Sequence, residues 1–420
     1  MMKRAVVVIC DGLRADMVVP ELTPNLCALI GQGRHFTRHR SVFPPTTRTT
    51  SASIATGCLP ARHGLEGNCV AIDEDDGLVA LNAGHPDFRD RLRKATGQTL
   101  RTPTLAERLK DHGGSMVFSN VSPGAAYFQD PDGYGYLYHR GGSFGPGLER
   151  LPDADGLSVS HDADGDIAMT KCFFQEVQGR RPRLAVLWQC EPDNTQHAVP
   201  LGSPEHHGVI ARADANVGRI AEIVQDGAGD DDILLIVASD HGQETVDRVI
   251  PLESMLIIAG LKDGLESSDV VVASNGFSAH IYVSEENRER IGEIVRFLEN
   301  WEEIGDIFAG PDLARVGQRT DTPLAVSVTP KSTNAFNKFG VPGMNGAFKN
   351  RLSGEIRIGT GQHGGLGVYE QGPFLIVMGG GFTAGGQSDD ETSAIDIAPT
   401  ILRHLDLPWD GMDGKPLPRD

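Results

Sequence analysis

Six consecutive apolar residues, Ala5–Cys10 (AVVVIC), run straight into Asp11. A β-branched run with no polar alternation fits a strand covered on both faces, as in a parallel sheet between helical layers. The same text recurs. Leu184–Trp188 and Ile233–Ala238 are equally apolar, and helical patterns precede them, near Asp166–Gln178 and from Glu205 to Gln225. Upstream, Thr23-Pro24 opens a short helix closed by Gly31 or Gly33, and Thr102-Pro103 opens Thr104–Lys110 ahead of the strand Ser115–Ser119. Alternation of this kind implies an α/β fold, an α/β/α sandwich with a mostly parallel central sheet.

The texture changes between residues 251 and 345. Ser278–Val283 reads as a strand, Ser284–Trp301 as an amphipathic helix and Ile304–Phe308 as another strand. This predicts a small α/β cap inserted into a core formed by residues 1–250 and 346–420. Thr329–Lys349 is polar and without period, which reads as an irregular segment able to act as a lid. The strand Phe374–Met378 and the helix Asp396–His404 return to core-like text. The acidic clusters Asp73–Asp76 and Asp230–Asp232 read as solvated turns.

Charge narrows the partners. Lys and Arg total 38 against 57 Asp and Glu, a formal net charge of −19 over 420 residues. Binding a nucleic-acid polymer or an anionic membrane needs clustered positive charge, so both are excluded as partners. No apolar run approaches the roughly 18–20 residues of a bilayer span, and Ala5–Cys10 is too short for the core of a signal peptide. The six cysteines show no paired spacing and several lie in apolar runs, which reads as free thiols in a reducing cytoplasm.

The chemistry sits where the strands end. Ala5–Cys10 meets Asp11, Leu184–Cys190 meets Glu191-Pro192-Asp193, and Ile233–Ser239 meets Asp240-His241-Gly242. Ligands of open parallel sheets bind beyond the carboxyl ends of the strands, so these acids would converge. Asp193 and His197, four apart, share one face of a helical turn, and His363 lies among glycines in Gly361-Gln-His-Gly-Gly365. Carboxylate and imidazole donors without thiolates suit Zn²⁺, Mn²⁺ or Fe with coordination positions left open. Between Phe43 and Gly57, four threonines and two serines fall within eight residues, at a turn into a helix expected to start near Thr49. A hydroxyl there would face a helix N-terminus, which favours phosphate, or it would simply cap the helix.

The ordered set Asp11-Gly12-Leu13-Arg14-Ala15-Asp16, Thr23-Pro24-Asn25-Leu26, Phe43-Pro44 through Thr56-Gly57, His63-Gly64 with Asn68, Glu191-Pro192-Asp193 with His197, Asp240-His241-Gly242, Gly361-Gln362-His363-Gly364 and Asp396 through Thr400, followed by Met412-Asp413-Gly414-Lys415, resembles the alkaline phosphatase superfamily. Within it the chain is most similar to the type I phosphodiesterase and nucleotide pyrophosphatase family. The resemblance implies two divalent metal ions, most simply Zn²⁺. Asp193, His197 and His363 would hold one, and Asp11, Asp240 and His241 the other, bridged to the nucleophile. The family pattern places that nucleophile at Thr47, which would attack phosphorus, form a covalent phosphothreonine and be released by water. The implied substrate is a small phosphoester or phosphonate, and self-association stays open.

One departure from the pattern bears on substrate. Thr50 stands where the family has an asparagine that donates to phosphate, and Arg48 adds a guanidinium fork, so both are expected to bind substrate. Phosphonoacetate hydrolase, which cleaves a C–P bond, is the second reading, although the lysines of that enzyme type have no counterpart in Phe118–Gly124. A phosphomonoesterase and a catalytically inactive metal-binding module complete the alternatives. Tyr127–Tyr138 holds four of the six tyrosines and reads as a packed hairpin in preference to a leaving-group pocket. The other histidines lack a strand-end carboxylate at ligand spacing and need no role.

Overall fold

The computed structural model describes residues 2–226 and 231–419. Its main sheet has ten strands in the order Gly386–Ser393, Arg34–Arg40, Leu375–Met378, Asp231–Ala238, Met2–Cys10, Leu184–Gln189, Ser115–Ser119, Tyr136–His139, Phe144–Gly145, Glu149–Arg150. The five strands from Asp231–Ala238 to Tyr136–His139 run parallel. Leu375–Met378 is antiparallel to both neighbours.

Period-two alternation explains why Ala5–Cys10 carries no polar residue. Val6, Val8 and Cys10 enter one core with Leu26, Phe173 and Val217 from the helices Pro24–Gln32, Ala163–Arg180 and Pro204–Asp226. Ala5, Val7 and Ile9 enter the opposite core with Ile54, Leu109 and Ile401 from the helices Thr47–Thr56, Leu105–Leu109 and Ile397–His404. Both faces are covered, so every position of the strand must be apolar. The helix Leu105–Leu109 starts one residue later than expected and is capped by Thr104, not Thr102, the Thr104 side chain accepting from the Glu107 N–H.

Two four-stranded sheets lie outside this layer. Val270–Ser274, Ala279–Val283, Leu324–Pro330 and Ile304–Ala309 form an antiparallel sheet whose core includes Ile294 and Leu298 of the helix Ile291–Glu299. The second sheet joins Thr333–Phe336, Pro342–Phe348, Glu244–Ile250 and Gly361–Gln362. Thr329–Lys349 is therefore not an irregular segment. It holds the end of one strand and the two strands of a hairpin, the second paired in parallel with Glu244–Ile250. Its polarity comes from the first hairpin strand, Thr333–Phe336, which is exposed along its length at the sheet edge.

The acidic stretch at 230–232 also differs from expectation. Asp230 lies outside the described residues, but Asp231 begins a strand and is buried, 3.3 Å from Arg4 and 2.8 Å from Arg181. Two guanidinium groups, not water, neutralise it. Asp75 and Asp76 do form an exposed turn, between the strands Cys69–Glu74 and Gly77–Asn82.

Candidate metal centre

The parallel register places Ile9 beside Ala238 and Cys10 beside Gln189. Asp11, Asp240 and the chain leading from Gln189 to Asp193 thus emerge at one end of the sheet. The four-residue helix Asp193–Gln196 sets His197 one turn beyond Asp193. His363 arrives from the second small sheet, immediately after Gly361–Gln362.

Two groups of three result. Candidate ligand atoms of Asp11, Asp240 and His241 lie within 4.8 Å of one another, and so do those of Asp193, His197 and His363. The rings of His241 and His363, one from each group, stack with centroids 3.7 Å apart. All six residues singled out as ligands in the sequence are brought together.

Their hydrogen bonds fix which atoms are free. His241 Nδ1 lies 3.0 Å from the Gly242 carbonyl and His363 Nδ1 lies 2.7 Å from the Pro45 carbonyl. A carbonyl accepts only, so each Nδ1 carries the proton and each Nε2 presents a lone pair. His241 Nε2 then faces Asp11 Oδ1 at 3.4 Å and Asp240 Oδ2 at 3.2 Å. The other oxygens of these acids are occupied: Trp188 Nε1–H donates to Asp11 Oδ2 at 2.8 Å, and the Gly12 N–H to Asp240 Oδ1 at 3.2 Å. Asp11 Oδ1 and Asp240 Oδ2 are buried with no hydrogen-bond partner. Two orphaned carboxylate oxygens aimed at an imidazole lone pair repel one another unless a cation lies between them. The donor set fits a divalent metal.

Electrostatics agree. Burial, and then the Asp240 carboxylate, push Asp11 well above the usual carboxylate range, and burial also raises Asp240. In the other group burial opposes ionisation of Asp193, yet His197 and then His363 hold it low. His363 Nε2 is 3.7 Å and His197 Nε2 3.4 Å from Asp193 Oδ1, which also accepts from the Gln243 side-chain amide.

Thr47 is the first residue of its helix, two residues earlier than the expected start. Its Oγ1 lies 3.3 Å from His241 Nε2. Arg48, next along, lines a cavity that also reaches His197 and His363. Thr50 points elsewhere: it is fully buried, 3.3 Å from Ser41 Oγ, and is not among the residues lining that cavity. The orienting groups Trp188, Gln243 and the Pro45 carbonyl escaped sequence reasoning. Trp188 carried one usable signal, an indole N–H at the end of a fully buried strand, which must find an acceptor.

The model of the family described as type I phosphodiesterase / nucleotide pyrophosphatase matches residues 5–322. The chain belongs to this family. An uncharacterized pyrophosphatase/phosphodiesterase of Schizosaccharomyces pombe is 25% identical over 258 residues, covering 61% of the chain and 48% of that protein. The match thus spans about half of that relative's length. Among solved structures, murine ectonucleotide pyrophosphatase/phosphodiesterase 5 superposes with a TM-score of 0.71 at 19% identity, covering 98% of each chain. An inactive threonine-to-alanine form of that murine protein, in complex with AMP, superposes with a TM-score of 0.69 at 19% identity, covering 98% of this chain and 97% of that one. The central sheet accordingly has the architecture of this family's alkaline phosphatase-like fold. Among the described residues no helix is long and apolar enough to cross a membrane.

Proposed function

We propose that the chain is a metal-dependent hydrolase of small phosphoesters, of phosphodiesterase or nucleotide pyrophosphatase type, with Thr47 as its nucleophile. The observation that carries this reading is the position of Thr47 Oγ1 beside the His241 lone pair, next to two carboxylate oxygens that lack any partner. Asp11, Asp240, His241 and the Thr47 hydroxyl would hold one divalent ion, and Asp193, His197 and His363 the other, with Zn²⁺ the best match to nitrogen and oxygen donors. When bound, two such ions supply Lewis-acid neutralisation of the attacking and departing oxygens.

The protein's own groups then have definite tasks. Thr47 Oγ1 attacks phosphorus in line as its O–H proton passes to solvent, the P–O bond to the leaving oxygen breaks, and the departing alkoxide or phosphate takes up a proton from water. Water then cleaves the phosphothreonine and regenerates the hydroxyl. Trp188 and Gly12 hold Asp11 and Asp240 in orientation. The Pro45 carbonyl, just before the nucleophile, fixes the His363 tautomer, so one turn positions both a candidate ligand and the attacking oxygen.

The test is hydrolysis of bis(p-nitrophenyl) phosphate by the metal-loaded protein. Activity should disappear with chelator and with Thr47→Ala, while Thr47→Ala still binds metal. Full activity in Thr47→Ala would remove Thr47 from the reaction, and inactivity of the wild type on diesters, monoesters and phosphonoacetate alike would favour a non-catalytic metal-binding module.

A further inference from the structure

The cavity beside the metal centre has a volume of about 310 Å³, near the lower end of the roughly 300–1,000 Å³ typical of ligand pockets. It is contiguous with the centre, since His197 and His363 form part of its wall. Among the described residues that line it there is no Phe, Tyr or Trp, and Ile356 is the one branched aliphatic side chain. Amides of Asn68, Asn82, Asn275 and Asn350 take their place. Recognition of a nucleobase relies on an aromatic or guanidinium face to stack against, and outside the metal centre the wall offers only the guanidinium groups of Arg48, which is held against the protein, and of the exposed Arg357. The tyrosine-rich segment does not supply one. Tyr138 stacks on Phe118 at 4.2 Å and Tyr136 on Tyr138 at 6.3 Å, at the far side of the main sheet.

The charge on the wall points to a different occupant. Arg48 is largely buried, and its guanidinium donates only to neutral groups, the Ser122 hydroxyl through Nε at 3.0 Å and the Asn68 carbonyl through Nη1 at 3.3 Å. Among the described residues no carboxylate forms an ion pair with it, and Asp193 and Asp11 act on this desolvated cation only from a distance. Its fork is held in place by those two bonds and by the close approach of Gly84 and Gly124, where a Cβ would lie 2.5 Å from Nη2 and 3.0 Å from Cδ. The other charged wall residues outside the metal centre, Glu355 and Arg357, are exposed and opposite in sign.

We infer that this cavity selects phosphoesters whose second half is compact and carries its own negative charge, a carboxylate or a further phosphate gripped by Arg48, and not a nucleoside. The inference rests on the hydrolase reading above and names the substrate class for it.

The test uses p-nitrophenyl phosphodiesters whose second ester group is methyl, carboxymethyl, phosphonomethyl or thymidine. Turnover by the metal-loaded wild type, Arg48→Ala and Arg48→Lys is compared as ratios to the methyl ester. Binding of the same esters to metal-loaded protein carrying Thr47→Ala is measured by calorimetry, which reads the cavity even if no ester is cleaved. A charge-assisted contact predicts an advantage of about ten- to hundredfold for an anionic ester over methyl, falling to about unity in Arg48→Ala and partly kept in Arg48→Lys. The carboxymethyl and phosphonomethyl arms tell which anion is preferred. A thymidine ester favoured over both anionic esters, or an anionic preference that survives in Arg48→Ala, would overturn the inference. Absence of turnover combined with Arg48-dependent binding would instead reject the hydrolase reading and leave the cavity assignment standing.

Discussion

Trp188→Phe isolates one hydrogen bond of the centre with little change of shape. The indole is 1% exposed and its Nε1–H is the side-chain donor to Asp11 Oδ2. Phenylalanine fills most of the space but leaves that oxygen bare, so Asp11 loses the contact that aims Oδ1 at His241. Losing such an orienting partner costs about 10–100-fold in metal affinity. The small void costs on the order of 1 kcal/mol whether metal is present or not. Linkage separates the two effects. At free metal about 1,000 times the wild-type Kd, metal adds about 4.1 kcal/mol to wild-type stability; with Kd raised 10–100-fold it adds only about 2.7 to 1.4 kcal/mol. Urea unfolding of both proteins, with saturating chelator and at that fixed free metal concentration, gives all four values. Equal metal-dependent stabilisation in the two proteins, with only a constant offset, would show that the indole packs but does not orient Asp11.

Other outcomes follow from groups farther out. Burial lowers the pKa of His39 and His63 to about 3 and of His280 to about 4, so all three stay neutral in the folded chain while the unfolded chain takes up protons near 6.5. Their contribution is complete above pH 6.5 and is lost as pH falls toward those values, roughly 1.4 kcal/mol for each between pH 7.5 and 5.5; in the chelated protein His63→Gln should therefore shrink the difference in unfolding free energy between these two pH values by about that amount, and an unchanged difference would contradict it. Gly364 has φ +110°, and a Cβ there would lie 1.7 Å from the Asn275 carbonyl oxygen. Gly364→Ala should displace His363, lowering metal affinity and melting temperature together, whereas a crystal structure with His363 unmoved would count against the tightness of that turn. Arg14 is completely buried, bonded to Asp16 and to the Gln243 and Pro342 carbonyls and lying 4.2 Å from the Tyr369 ring centroid. Because Asp16 is exposed, Arg14→Met strands chiefly the Gln243 and Pro342 carbonyls and should cost about 1–3 kcal/mol for each by urea unfolding, and a total loss below about 1 kcal/mol would mean that water replaces the guanidinium.

How far the sequence disclosed this arrangement depended on how local the governing forces were. Ala5–Cys10 was legible because a strand with two covered faces leaves no position for a polar residue. Asp11, Asp193, Asp240 and their histidines were legible because the carboxyl ends of parallel strands necessarily share one side of a sheet. Asp231 was not, since its partners Arg4 and Arg181 are 227 and 50 residues away in sequence. Thr329–Lys349 looked irregular because an edge strand exposed along its length loses the alternation that marks a half-buried one. The start of the helix at Thr47 was obscured by a run of capping residues, any of which could end the preceding turn. The amide-lined cavity gathers Asn68, Asn275 and Asn350 from three distant segments, and no spacing along the chain announces that.

The stacked imidazoles of His241 and His363 belong to different sheets, one at the tip of a central strand and the other just past a short strand of the small sheet that carries the exposed hairpin. The stacking itself is weak, about 0.5–1.5 kcal/mol, but rings already in van der Waals contact leave neither free to move toward the other, so the pair is a point where one layer presses on the other. Any change that tilts the small sheet, even in the hairpin at its edge, is therefore felt directly as a misalignment between the two candidate ion positions.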